Sequence, residues 1–303
     1  FKRGRLRYAY QILRGRDLKT KETSAQTREE NFEKFGKALE HVLDLNNWHA
    51  FINTLSEAGY INADQISSSN ALFFNYAFYI IGKYEFKMEP LRIKRLVRRW
   101  YFASALTAYY VGSFESDFEQ QLNDISKLSN SDEFEAYFDR SIEALLTDDY
   151  FRITLPADFD ANEATGPTWY GFVASQIVLG AKALFSTVPL SQLVGPYSSG
   201  TKKAVDKHHL FPDNYLKEVG HIADRSNRAN FTYVDYQNNI YISDDPPSEY
   251  VSKYRKDLGE DAYLKACEEH ALPVDFETMD YETFLQKRRG LMSQLVKEAY
   301  EKL

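Results

Sequence analysis

The chain has 303 residues, 44% of them apolar and 15% aromatic, enough to bury one large or two ordinary cores. Its 14 glycines and 9 prolines exclude low-complexity and fibrous architectures, and a net charge of -7 excludes a protein that coats nucleic acid by bulk electrostatics. A single cysteine, Cys267, excludes an internal disulfide or a multi-cysteine zinc module, which fits a reducing compartment, and a cytoplasmic location is expected.

In chain order, Phe1 is not an initiator methionine, and the helix-like Arg5 to Arg14 follows at once, so further upstream sequence is expected. From Gln26 to Ala58 the apolar residues Phe32, Phe35, Leu39, Val42 and Leu43, then Trp48, Phe51, Ile52 and Leu55, recur at helical spacing and predict two amphipathic helices. Ser67 to Ser69 can cap the next helix, whose run of Phe73, Phe74, Tyr76, Phe78 and Tyr79 predicts burial on more than one face. Pro90 suits the first turn of a long helix reaching about Val111. On that helix Arg92, Arg95, Arg98 and Arg99, with Lys94, form a basic ridge beside the apolar stripe of Ile93, Leu96, Val97 and Trp100, and the four arginines are candidate nucleic-acid contacts. The cations Lys2, Arg3, Arg5 and Arg7 are weaker candidates.

Between Phe114 and Tyr150 eleven acidic side chains face only Lys127 and Arg140, a surface expected to repel DNA, while Phe118, Leu122, Ile125 and Leu128 keep an apolar stripe. Trp169 to Phe185 is the most apolar helix candidate, but Gln176 and Lys182 make it a buried core helix rather than a membrane span, and no membrane association is expected. The glycine- and serine-containing stretch from Gly195 to Gly200 is the best candidate boundary, with a helical domain over 1–195 and a smaller α+β unit with C-terminal helices over 196–303. In that unit Ala204 to Phe211 and Phe231 to Tyr236 read as short strands, Pro246-Pro247-Ser248 starts a helix containing Tyr250 and Tyr254, and a last helix starts near Tyr281. The expected class is mostly α with a small α+β unit.

Three of the six histidines, His208, His209 and His221, fall within fourteen residues. Histidine both ligates metals and accepts protons near neutral pH, so the cluster is a candidate site. Two adjacent histidines on a strand point to opposite sides and need different tasks. Asn238 beside Asn239 can belong to a turn or to the site.

The segment Asp206-Lys-His208-His209-Leu-Phe-Pro212, followed by Asn230-Phe-Thr-Tyr-Val-Asp-Tyr-Gln-Asn238-Asn239, resembles the ββα-metal (HNH, or His-Me finger) nuclease pattern. In that pattern a metal-ligating residue precedes an invariant His, Pro follows three residues later, and two Asn or His positions lie nine apart. The counts here agree: His209 to Pro212 is three and Asn230 to Asn239 is nine. The continuation from Asn239 through Pro246-Pro247-Ser-Glu-Tyr250 resembles the C-terminal nuclease domain of GmrSD-type restriction endonucleases, which cut modified phage DNA. Leu96-Val-Arg-Arg-Trp-Tyr-Phe-Ala-Ser-Ala-Leu106 and Gly112-Ser-Phe-Glu-Ser116 resemble the helical region joining that nuclease to the family's N-terminal nucleotide-hydrolysing domain, which the sequence does not contain.

The resemblance implies a helical domain followed by an HNH nuclease domain, acting on double-stranded foreign DNA as the cleavage part of a bacterial phage-defence factor. His209 would be the general base, His208 and Asn239 would hold one divalent metal ion, and Asn230 would brace the loop between the strands. Many members carry Asp or Glu where His208 stands; this softer site makes Mn²⁺ as natural an occupant as Mg²⁺, with Zn²⁺ or Ni²⁺ as further choices. Asp206 lies one residue too far from His209 to replace it. His221 has no place in the pattern and is read as a loop residue or phosphate contact. The alternative from another class is a DNA-binding or sensor module whose nuclease fold is inactive without the N-terminal domain.

Overall fold

The computed structural model describes residues 9, 11–17, 20–112, 114–195, 205–221 and 224–303. The cations at 2, 3, 5 and 7 and the boundary stretch 196–200 lie outside them.

The predicted N-terminal helices are α1 (Ala25–Leu43) and α2 (Leu45–Glu57), separated by one residue. Ser24 caps α1 by accepting from Thr27 N, and Asp44 caps α2 by accepting from Asn46 N, each relieving an amide that the first turn leaves unbonded. Ser68 caps α3 (Ser69–Tyr84), where Tyr76, Phe78 and Tyr79 are buried and Phe73 is exposed. α4 (Pro90–Leu106) begins with Pro90, as its fixed φ allows, and Glu89 accepts from Leu91 N and Arg92 N. It stops five residues short of the predicted Val111, in a turn where Ala108 adopts φ +53°. α5 (Phe114–Ile125) and α6 (Ser131–Leu145) follow. Fully buried Trp100 donates to Tyr110 Oη (3.1 Å), which donates to Gln121 Oε1 (2.8 Å), so α4 and α5 are joined by a satisfied polar chain inside an aromatic core.

A π turn (Tyr150–Thr154) runs into the short α7 (Leu155–Asp158). Next comes α8 (Gly166–Leu179), buried from Thr168 to Gln176 except at Tyr170, as its apolar sequence predicts. It ends before the predicted Phe185 because Gly180 takes φ +79° and closes the helix. α8 is the central element: α4 and α14 (Tyr281–Glu301) both pack on it. Gly59, at φ +84°, lies so close to α8 that a Cβ there would sit 2.1 Å from Ala174 O, so only glycine fits.

After α9 (Leu190–Val194) come β1 (Val205–His209), α10 (Asp213–Glu218), β2 (Phe231–Asp235) and α11 (Tyr236–Ile242). Then follow α12 (Pro247–Leu258), α13 (Glu260–Glu269) and α14. β1 and β2 pair antiparallel, with Lys207 opposite Tyr233, His208 opposite Thr232 and His209 opposite Phe231. The fold is mostly helical with this one two-stranded sheet among the described residues. Buried apolar side chains form one cluster running from Phe51 to Leu303, so residues before and after 195 share a core. No described helix is long and apolar enough to cross a membrane.

An isolated hairpin is only marginally stable in water, so this one depends on what it packs against. Leu184 N donates to Tyr233 O (3.0 Å), and the Trp169 ring of α8 meets the Tyr233 ring at 5.8 Å. Behind the strand pair sits fully buried His270. Its Nε2 donates to Lys182 O (2.8 Å), which leaves Nδ1 to accept from Thr232 Oγ1 (2.6 Å) and Gln176 Nε2 (3.3 Å). One neutral imidazole thus ties β2, α8 and the end of α13.

Burial lowers the His270 pKa from 6.5 to about 4. Because the unfolded chain takes up this proton at a higher pH than the folded one, stability is complete above pH 6.5 and falls as the pH drops towards 4. The loss amounts to about 3 kcal/mol in all. Urea denaturation at pH 7 and pH 4 is expected to show wild type losing about 3 kcal/mol more than His270→Gln; equal losses would show that His270 titrates normally.

Candidate functional site

The chemistry-bearing residues lie on the β1–β2–α11 unit. Alternation along β1 sends His208 and His209 to opposite faces. His208 is buried, and its Nδ1 lies 2.8 Å from Asn239 Oδ1 on α11. An amide oxygen only accepts, so as a direct hydrogen bond this contact is donated by Nδ1–H. With Nδ1 deprotonated, the same two atoms are lone-pair donors that could share one divalent cation.

The phase of α11 brings Asn239 there. Asp235 caps the helix by accepting from Asn238 N (2.8 Å). Asn238 itself turns away, donating to Asp235 Oδ2 (3.0 Å) and Phe185 O (3.3 Å) and accepting from Tyr254 Oη (2.7 Å). The two neighbouring asparagines, equivalent in the sequence, are therefore separated by the structure: Asn239 faces β1 and Asn238 fastens α11 to α12.

His209, on the other face, is half-buried, with its ring 4.2 Å from that of Phe231. Its Nε2 is shielded from solvent and has no hydrogen-bond partner among the described residues. Burial holds its pKa below the usual 6.5, opposed by the Asp213 carboxylate, so the imidazole is neutral at pH 7. Asp213 is in turn held ionised by Lys217 (2.5 Å) and Arg225 (2.6 Å).

Asn230 is fully buried between the strands. Its Oδ1 accepts from Phe211 N (2.8 Å), and its Nδ2 donates to Phe211 O (2.9 Å) and Arg225 O (3.1 Å). These contacts span the connection between the strands, from the end of β1 to the turn before β2. His221 is not close enough in sequence or contact to join them; it packs edge-on against Tyr281 at 5.2 Å.

The basic ridge on α4 has a different environment from the one its sequence suggests. Arg92 pairs with Asp132 (2.8 Å) and Glu135, Arg99 with Asp139 (2.5 Å), and Arg98 with Glu57 (3.2 Å) and Leu303 O. Three of these carboxylates belong to the eleven of the acidic stretch expected to repel DNA, so the ridge is partly neutralised by that stretch. Arg95 stays exposed. Phosphate contact by Arg92, Arg98 or Arg99 would have to displace existing pairs.

As a metal centre the site offers one imidazole nitrogen and one amide oxygen, both neutral. Among the described residues there is no group of three or more His, Cys, Asp or Glu that could hold a metal ion. A divalent cation held by this pair would need its remaining ligands from outside these two residues. Three supporting residues carry no spacing signal: His270, Arg288 and the hydroxyl of Tyr250. Arg288 of α14 is fully buried and donates to Ala229 O (2.5 Å), beside Asn230, and to His270 O (3.3 Å). No family model, curated protein or solved structure matches the chain.

Replacing Asn230 by Ala leaves Phe211 N and Phe211 O without their partner inside the protein and Arg225 O with only the Tyr281 hydroxyl at 3.5 Å, a loss on the order of 3 kcal/mol. Denaturant titration at pH 7 is the check, and a change below about 0.5 kcal/mol would mean that the bracing is not needed.

Proposed function

We propose that the chain is a metal-dependent DNA endonuclease of the ββα-metal type, the cleavage part of a factor that cuts foreign, including modified, double-stranded DNA. The observation that carries the reading is the approach of His208 Nδ1 to Asn239 Oδ1 at 2.8 Å, with neutral His209 next in the strand. Thirty-one residues apart in sequence, these two donors meet at the positions that the nuclease pattern reserves for a metal.

In this reading His209 accepts a proton from water as its oxygen attacks the scissile phosphorus in line. The bond from phosphorus to the 3′ oxygen breaks, and that oxygen leaves and takes up a proton. A divalent cation held by His208 and Asn239 supplies positive charge where the phosphate and the leaving oxygen become more negative. Asn230 does not touch the substrate; it holds the connection between the strands. A missing acidic ligand makes Mn²⁺ as suitable as Mg²⁺, with Zn²⁺ and Ni²⁺ as further choices. The nucleotide-hydrolysing N-terminal domain is proposed as a partner on the resemblance alone.

A second reading has its own observation. The donor pair at His208 and Asn239 is neutral and the net charge of the chain is -7, which favours a DNA-binding or sensor module whose nuclease fold is inactive without the N-terminal domain. Binding of Mn²⁺ and DNA without product would select it.

The deciding assay is cleavage of plasmid and modified phage DNA with Mg²⁺, Mn²⁺, Zn²⁺ and Ni²⁺ in parallel. Wild type is expected to cut only with metal, and His209→Ala to lose about 10²- to 10⁴-fold in rate. Asn239→Ala is expected to need more metal for the same rate. Cutting that survives His209→Ala would remove the assignment of the base.

A further inference from the structure

The two residues that follow His209 are held in an unusual way. Beyond the last ladder pair, all four backbone polar groups of Leu210 and Phe211 are captured. Leu210 N donates to Asn230 O (2.8 Å), Phe211 N to Asn230 Oδ1 (2.8 Å), and Phe211 O accepts from Asn230 Nδ2 (2.9 Å). The fourth, Leu210 O, accepts from the hydroxyl of Tyr250 at 2.6 Å. Tyr250 is fully buried on α12, a helix started by Pro246 and Pro247. Its phenol is the direct tie between that helix and the end of β1.

We propose that Tyr250 is a positioning residue for His209, fixing the 210–211 peptide one residue beyond the base so that the imidazole meets its substrate at one angle. The proposal rests on the nuclease reading for the task of His209, but the restraint itself is a property of the fold. Leu210 is fully buried, so its carbonyl cannot turn to water when the phenol is lost. The 210–211 peptide that carries this carbonyl begins one residue beyond His209, so a rotation there shifts Leu210 and, through it, the backbone and Cβ of His209. A catalytic group displaced by about 1 Å loses on the order of 10²-fold in rate, so a modest rotation is enough to be measured.

Tyr250→Phe keeps the ring in its slot and removes only the hydroxyl. Tyr263→Phe is the matched control: Tyr263 is also fully buried and donates to a backbone carbonyl, Val274 O (2.7 Å), but it does not touch β1. With the full chain and plasmid DNA in the most active metal, Tyr250→Phe is expected to lower kcat about 10-fold or more at unchanged KM, and Tyr263→Phe to change neither. The second readout does not need turnover. In ¹⁵N-histidine-labelled protein the ring signals of His209, identified by their loss in His209→Ala, are expected to shift in Tyr250→Phe and to stay in place in Tyr263→Phe. If the His209 signals of Tyr250→Phe coincide with those of wild type, the proposal is overturned whether or not the protein cuts DNA. If they move while wild type shows no cleavage with any metal, the restraint stands and the nuclease reading fails.

Discussion

The hydrogen bond between Thr232 and His270 joins the hairpin to the helical body, and much of the candidate site depends on it. Two strands alone cannot bury enough surface to be stable, and here no further strand among the described residues extends the sheet. His270 replaces that missing support from behind, bonding β2 on one side and α8 on the other, and its own carbonyl is held by Arg288. Each of these groups is buried, so each bond that fails leaves a polar atom with no water to replace it. The hairpin is therefore held by buried polar contacts together with the apolar packing of Leu210, Phe211, Tyr233 and Val234.

That construction explains the local rigidity around His208 and His209. Asn230 and Tyr250 hold the chain just after β1, Arg288 holds the residue before Asn230, and Asp235 sets the start of α11. The groups that hold the chain around the histidines come from α12, α14 and the turns rather than from the strands. The helical region is thus more than a spacer beside the hairpin, since α8, α12 and α14 each contribute to where the histidines stand.

The charge distribution follows the same logic of internal satisfaction. An arginine ridge on α4 and an acidic stretch on α6 look in sequence like opposed surfaces, one attracting and one repelling DNA. Folding lays them side by side, and the partly exposed pairs add little stability while offsetting part of the charge of Arg92 and Arg99. Of the four ridge arginines only Arg95 stays exposed.

The long N-terminal helices and both strands were legible in the chain because periodicity and first-turn hydrogen bonds act over a few residues: Ser68 and Pro90 start helices where their chemistry requires, whereas the short helix Tyr236–Ile242 was not read. The helix ends near Leu106 and Leu179 were misplaced, since apolar residues continue past both while the backbone turns at Ala108 and Gly180. The spacing of His208, His209, Asn230 and Asn239 singled out one segment, but could not say whether Asn238 or Asn239 faces His208. That choice belongs to the Asp235 cap and the packing of α11 against α12. Likewise His270, Arg288 and Tyr250 look like ordinary members of polar or aromatic helices, and Arg92 and Arg99 look free. Their partners lie 18 or more residues away in sequence, and a contact at that range leaves no pattern in the chain until the tertiary structure forms it.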